Sequence, residues 1–183
     1  SGVFSDGCIG DWAEDAEEIL NRTTTGRLIL VGSSMGGWIS CLMAKRMPER
    51  IAALVTIAAA PDFTEDGFWS SFSDQQKSEV MDKGITFLPS DYGDPYPITR
   101  RLIEDGRNHF ILRSPFPVDF PVRMLQGDLD QSVTRETALR LFDHMDGNDI
   151  HLSFIKGGDH SLSSPENLKV LENHLEPLIT FLE

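Results

Sequence analysis

Leu28-Ile29-Leu30-Val31-Gly32-Ser33-Ser34-Met35-Gly36-Gly37 is an apolar run that ends in G-x-S-x-G and passes directly into Trp38-Ile39-Ser40-Cys41-Leu42-Met43-Ala44-Lys45-Arg46. Residues 27–31 read as a buried strand, and residues 35–47 as a helix closed by Pro48. A serine at the apex of a sharp strand-to-helix turn is a nucleophile elbow. A serine hydroxyl is a weak nucleophile at neutral pH. It needs a base to take its proton and an exposed position from which to attack. The turn supplies the exposure and makes Ser34 the candidate nucleophile. Gly32 and Gly36 are expected to flank the turn because a Cβ there would meet the strand or the helix, with Gly37 aiding close packing. The backbone N–H of Met35, which follows the nucleophile at a helix N-terminus, is the candidate oxyanion donor.

Working outward, residues 51–59, 121–125 and 150–155 read as further buried strands. Helical patterns cover 13–21, 134–145 and 165–182. The first has Asp11 as its N-cap, with Trp12, Ala16, Ile19 and Leu20 on one side. The last carries Leu168, Leu171, Leu175, Leu178 and Ile179 on its apolar face. Strands alternating with helices predict an α/β fold, a parallel sheet with right-handed crossovers flanked by helices. Active sites in such sheets lie at the carboxyl ends of the strands. Only four good parallel strands are legible, so the elbow strand is expected at an open, apolar sheet edge.

Residues 62–119 differ in character and read as a cap insertion between the core segments 1–61 and 120–183. Phe63, Phe68, Trp69, Phe72, Phe87, Tyr92, Tyr96 and Phe110 make the cap aromatic. Helix-like pieces fall at 75–83 and 98–105, and Asp94-Pro95-Tyr96-Pro97 reads as a stiff turn.

The strand after the cap leads into Gln126-Gly127-Asp128-Leu129-Asp130-Gln131-Ser132-Val133. The spacing G-x-x-D-x-x-V selects Asp130 as the acid that orients a histidine, with Asp128 as the alternative. The last strand leads into Gly157-Gly158-Asp159-His160-Ser161-Leu162. A histidine after glycines at a strand end is free to reach a serine, so His160 is the candidate base. His144 and His174 fall on helices, His151 in a strand and His109 in the cap. No pair of histidines has metal-ligand spacing, so neither metal nor cofactor is expected.

The 183 residues carry 29 acids against 16 bases, a net charge of −13, which argues against nucleic acid or an anionic membrane as the main partner. The longest apolar run, 51–61, is far too short to span a bilayer. Cys8 and Cys41 lack metal or redox spacing, and Cys41 sits in an apolar helix as a buried thiol. Both fit a reducing compartment. No signal peptide or repeat is visible, and residues 1–7 lack an initiator Met and any targeting pattern.

Beyond the elbow, Ile9-Gly10-Asp11-Trp12, Met81-Asp82-Lys83-Gly84, Arg113-Ser114-Pro115-Phe116-Pro117-Val118, Pro121-Val122-Arg123-Met124-Leu125 and Lys156-Gly157-Gly158-Asp159-His160 form a recognisable set. On these segments the chain resembles the abhydrolase-domain-containing protein 10 branch of the α/β-hydrolases and its bacterial relatives. It departs from the bacterial relatives at Ser161, where they often carry Arg, and at Thr134, where they often carry Pro. The resemblance implies an α/β-hydrolase fold whose first strands and second oxyanion donor lie upstream of this chain. It also implies hydrolysis of S-acyl thioesters or acyl-glucuronide esters, with the triad on Ser34, Asp130 and His160.

The expected function is a cofactor-free serine hydrolase that cleaves small-molecule or protein-linked acyl esters or thioesters through an acyl-enzyme. Ser33 and Trp38 beside the nucleophile, and Arg107 and His109 in the cap, are the candidate substrate contacts. Arg100 and Arg101 could also meet a substrate carboxylate. The rivals are a non-catalytic ligand-binding protein of the same fold, and a triad enzyme acting on amide or carbon–carbon bonds. A bacterial host implies the cytoplasm. The mitochondrial address of animal members stays open, because the true N-terminus is not visible.

Overall fold

A computed structural model describes residues 2–89 and 95–182. Tyr92 and the first residue of the expected turn, Asp94, lie outside the described residues. The elements follow in the order α1 (Ile9–Thr23), β1 (Leu28–Ser33), α2 (Met35–Arg46), β2 (Ile51–Ile57), α3 (Asp74–Ser78), β3 (Ile85–Leu88), β4 (Tyr96–Thr99), α4 (Arg100–Gly106), β5 (Phe116–Pro117), β6 (Val122–Gly127), α5 (Arg135–His144), β7 (Met145–Asp146), β8 (Ile150–Ile155) and α6 (Pro165–Leu175). Two compact units result. One is Glu17–Pro61 with Ile111–Glu183, and the other is Ser1–Ala16 with Asp62–Phe110. No helix among the described residues is long and apolar enough to cross a membrane.

The first unit is built on a parallel sheet of order β1-β2-β6-β8. β2 is buried along almost its whole length, as a central parallel strand must be when helices cover its faces. β1 stands at the end of the sheet, and Val31 is 48% exposed there. α2 presents Trp38, Cys41, Leu42 and Met43 to the interior, so its buried side is broad. On part of the sheet Ala53, Val55 and Leu125 pack with Leu162 and Leu178, joined by the partly buried Leu171 and Leu175.

The last helix departs from its expected periodicity. α6 stops at Leu175, and residues Glu176–Leu182 continue as a 3-10 helix. Pro177 has no N–H to continue the α ladder, and the tighter turn changes which residues share a face. Leu178 is therefore fully buried while Ile179 is exposed, as is Leu168 one turn into α6.

The second unit pairs β3 with β4 in antiparallel fashion, Ile85 opposite Thr99 and Leu88 opposite Tyr96. Ile98 and Thr99 are thus strand residues rather than the start of a helix, and Tyr96 and Pro97 extend rather than turn. Both β-branched side chains favour the pleated conformation. Thr99 then caps α4 by accepting the Leu102 N–H at 3.1 Å. The 75–83 pattern divides into α3, opened by a Ser73–Gln76 capping box, and a wider π-type turn over Glu79–Lys83. α1 begins at Ile9, so Asp11 lies in its first turn instead of capping it. Ile19 points to solvent at 60% exposure, and Ile9, Gly10 and Ala13 are the buried residues. Phe63, Phe68, Phe72 and Trp69 pack ring to ring at centroid separations of 5.1 to 6.3 Å. Phe87 and Tyr96 are exposed.

Candidate active site

Ser34 stands between β1 and α2 with φ 52° and ψ −120°. A non-glycine residue in that region stores strain of about 1–3 kcal/mol and persists only where its surroundings over-determine it. The surroundings are visible. The Ser34 N–H donates to the Ile57 carbonyl at 2.8 Å, and the Ser34 carbonyl accepts from Gly37 and Ala60 at 2.9 and 3.1 Å. The exit of β2 therefore braces the turn from both sides of the serine.

The glycines divide sharply. A Cβ on Gly32 would lie 2.2 Å from the Gly36 carbonyl oxygen and 2.4 Å from Ser40 Oγ. One on Gly37 would lie 2.6 Å from the Ala59 methyl. One on Gly36 would meet nothing within 4 Å beyond its chain neighbours and its own helix backbone, so the expected clash at Gly36 is corrected. Gly36 contributes its carbonyl as the wall that forces glycine at position 32. Met35 is the first residue of α2, so its N–H is one of the donors the helix cannot satisfy internally.

His160 and Asp130 come from the loops after β8 and β6. His160 Nε2 lies 3.0 Å from Ser34 Oγ, and His160 Nδ1 lies 2.8 Å from Asp130 Oδ2. The Asp130 side chain is fully buried, whereas the imidazole is 31% exposed. Asp130 Oδ1 accepts the N–H groups of Ser132 and Val133 at 2.8 and 2.9 Å. Its Oδ2 accepts a further bond from Gln126 Nε2 at 2.9 Å. A carboxylate is acceptor-only, and each of its four contacts here is with a donor.

Asp128 does something different. It accepts from the exposed Lys156 ammonium and from the Gly157 N–H. The Lys156 hydrogen bond, helped by Gly157, holds the Asp128 carboxyl below the usual carboxylate range. This clamp joins the acid loop to the histidine loop at its left-handed residue Gly157, φ 75°. The two loops also touch backbone to backbone. The Leu129 N–H donates to the Gly158 carbonyl at 2.9 Å, and a Cβ on Gly127 would lie 2.4 Å from the carbonyls of Gly158 and Asp159. Asp159 Oδ1 receives the Ser161 hydroxyl and the N–H groups of Ser161 and Leu162, which closes the turn around His160. Those bonds, the Ser161 hydroxyl foremost, hold the Asp159 carboxyl low as well. Ser161 thus has a local role in shaping the histidine loop.

Of the remaining candidates, Ser33 is exposed beside Ser34, while Trp38 is fully buried and packs as core. Arg107 and His109 belong to the other unit. There Arg107 pairs with Glu65 at 2.7 Å and lies 5.0 Å from the Trp69 ring centre, and His109 Nε2 is 3.5 Å from Asp105 Oδ1. Arg100 pairs with Glu104, and Arg101 with Asp11. His144 Nε2 is 2.6 Å from the Ser114 carbonyl, His151 pairs with Asp149, and His174 bonds Ser153 and the Val170 carbonyl. Cys8 and Cys41 are both buried free thiols, and burial pushes the Cys8 thiol up to about 11. Among the described residues no group of three or more His, Cys, Asp or Glu is arranged to hold a metal ion. Gln126 is the residue that sequence reasoning missed. The signal was a lone amide at the carboxyl end of the otherwise apolar 124–127 segment.

Comparison with known proteins identifies the family of the fold. The family described as "alpha/beta hydrolase fold" matches residues 4–96. Human mitochondrial palmitoyl-protein thioesterase ABHD10 is 31% identical over 180 residues, a match covering 97% of this chain and 58% of that protein. The chain therefore spans a little over half the length of the curated relatives it matches. A crystal structure from Agrobacterium vitis S4 superposes with a TM-score of 0.92 at 34% identity, covering all of this chain and 72% of that one. The mouse alpha/beta hydrolase domain-containing protein 10 gives 0.89 at 32% identity, covering all of this chain and 74% of that one. The chain belongs to the α/β-hydrolase fold family, and within it is similar to ABHD10.

Proposed function

We propose that the protein is a serine hydrolase that cleaves acyl thioesters or carboxylic esters through an acyl-enzyme. The observation that carries this reading is the unbroken hydrogen-bonded path from Asp130 Oδ2 through the His160 ring to Ser34 Oγ, with steps of 2.8 and 3.0 Å. Nucleophile, base and orienting acid stand within the reach that proton transfer requires. The name of the ABHD10 relatives supports a thioester with a long acyl chain as the substrate class.

The chemistry follows from the path. Ser34 Oγ attacks the acyl carbon as His160 Nε2 takes its proton. The buried Asp130 carboxylate holds Nδ1–H and stabilises the imidazolium. The Met35 N–H meets the oxyanion of the tetrahedral intermediate. Collapse expels a thiol or alcohol, which takes the proton back from Nε2. Water, activated by the same ring, then hydrolyses the acyl-serine and restores the hydroxyl. In this reading residues 62–119 are the cap, and their aromatic side chains supply apolar surface suited to an acyl chain. In this reading a bacterial host implies the cytoplasm, while the ABHD10 relatives are named as mitochondrial.

The test is Ser34→Ala in the full chain. Turnover of a p-nitrophenyl acyl ester should fall by about 10⁵-fold or more, and fluorophosphonate labelling should vanish while the circular dichroism spectrum is kept. Turnover retained by the variant would overturn the assignment. A parallel panel of palmitoyl thioester, oxygen ester and anilide measures the preference, and thioester turnover should lead.

A further inference from the structure

We propose that Gln126 is a positioning residue for this proton path: its side-chain amide fixes the Asp130 carboxylate, and so determines where the His160 ring stands relative to Ser34. The inference rests on the reading of Ser34, His160 and Asp130 given above. Gln126 is the penultimate residue of β6 and is 1% exposed. A buried carboxamide must find partners for its polar atoms. Its Nε2 lies 2.9 Å from Asp130 Oδ2, 3.0 Å from the Val133 carbonyl and 3.3 Å from the Gly127 carbonyl. All three neighbours are acceptors, and only the NH2 end of the amide donates. The opposite orientation would aim an amide oxygen at a carboxylate and two carbonyls, so the surroundings dictate how the group points.

The effect on Asp130 is specific. The backbone of Ser132 and Val133 grips Oδ1, and Oδ2 is shared by Gln126 and His160. Without the Gln126 N–H, Oδ2 would be held by the imidazole alone. The carboxylate would then keep only its Oδ1 anchors, and the placement of Oδ2 against Nδ1 would lose its second fixed point. The same amide spans the acid loop from Gly127 to Val133, so it holds both ends of the segment that carries Asp130. Gln126 touches no reacting atom. Its influence passes through Asp130.

The experiment uses Gln126→Met and Gln126→Glu in the full chain. Active sites are titrated with a fluorophosphonate, per-site kcat and KM are followed against pH, and the His160 Nδ1 proton is observed downfield by NMR. Methionine keeps length and apolar bulk but donates nothing. We expect per-site kcat to fall about 10- to 100-fold, with KM unchanged and the Nδ1 proton resonance moved upfield or broadened. Glutamate places a second carboxylate against Asp130 when ionised and a single donor when protonated. Its rate relative to the parent should therefore recover as pH is lowered. Unchanged per-site kcat and an unchanged Nδ1 resonance in both variants, with only the thermal midpoint lowered, would overturn the proposal and leave Gln126 a packing residue. If the parent protein neither labels nor turns over, the serine hydrolase reading fails. The resonance comparison still decides whether Gln126 sets the Asp130–His160 pair.

Discussion

The elbow and the two loops that face it hold their side chains by different means. Around Ser34 the constraint is steric. Gly32 and Gly37 are hemmed in by the Gly36 carbonyl and the Ala59 methyl, and the serine is locked in a conformation few residues adopt. Around Asp130 and His160 the constraint is hydrogen bonding. Asp130, Asp159 and Asp128 each gather donors of the loop backbone, and Gln126 adds one from the strand. A steric lock admits one residue type. A hydrogen-bonded loop can be built in several ways, and each bond contributes only about 1 kcal/mol.

The sharpest way to break this contrast is at Asp130. Asp130→Asn keeps the shape but favours the wrong imidazole tautomer, and kcat for the acyl ester should drop about 10⁴-fold with little change in KM. A loss below tenfold would mean that the acid lies elsewhere. Next in size is Gly32→Ala. The added methyl would press on main chain that cannot yield, and chemical denaturation should show a loss of about 3 kcal/mol. Gly36→Ala should move the other way, with a gain of about 0.5–1 kcal/mol from better helix propensity in α2. Equal destabilisation by both would show that the lock is spread over the whole motif.

The smallest effect belongs to Asp128. Its carboxyl is held low in the folded protein by Lys156 and Gly157, so its contribution is present at neutral pH and is lost as pH falls through the folded pKa. Asp128→Asn should lower the thermal midpoint slightly at neutral pH. The difference from the parent should close as the pH drops below about 3.9, the ordinary Asp value. Ester turnover should stay within about twofold of the parent, because a neutral loop clamp leaves the Asp130–His160 pair intact. A larger loss of turnover from Asp128→Asn than from Asp130→Asn would exchange the two roles.

This division also explains what could be read in the chain of letters. Gly32 was legible because a strand-to-helix turn leaves no room for a Cβ. Gly36 was misread because the wall beside Gly32 is the Gly36 backbone, which a sequence does not display. Asp128 and Asp130 look alike in the sequence. Spacing favoured Asp130, and what separates them is burial against Gln126 and the Val133 backbone, a property of the folded loop. The four parallel strands and the edge position of β1 were visible as apolar runs. The break in the last helix at Pro177 and the extended Ile98-Thr99 pair were overridden in the reading by longer helical periodicity. A missing N–H and a threonine cap decided them.

Leu162 closes the histidine loop with φ 45°, and its side chain is buried with Ala53, Val55, Leu125 and Leu178. The segment that carries the imidazole is thus stitched into the apolar interior that the sheet shares with the C-terminal helix. It cannot fray while that interior stands. On warming, thermal inactivation and global melting should therefore run together as one cooperative event, with no inactive yet folded species between them.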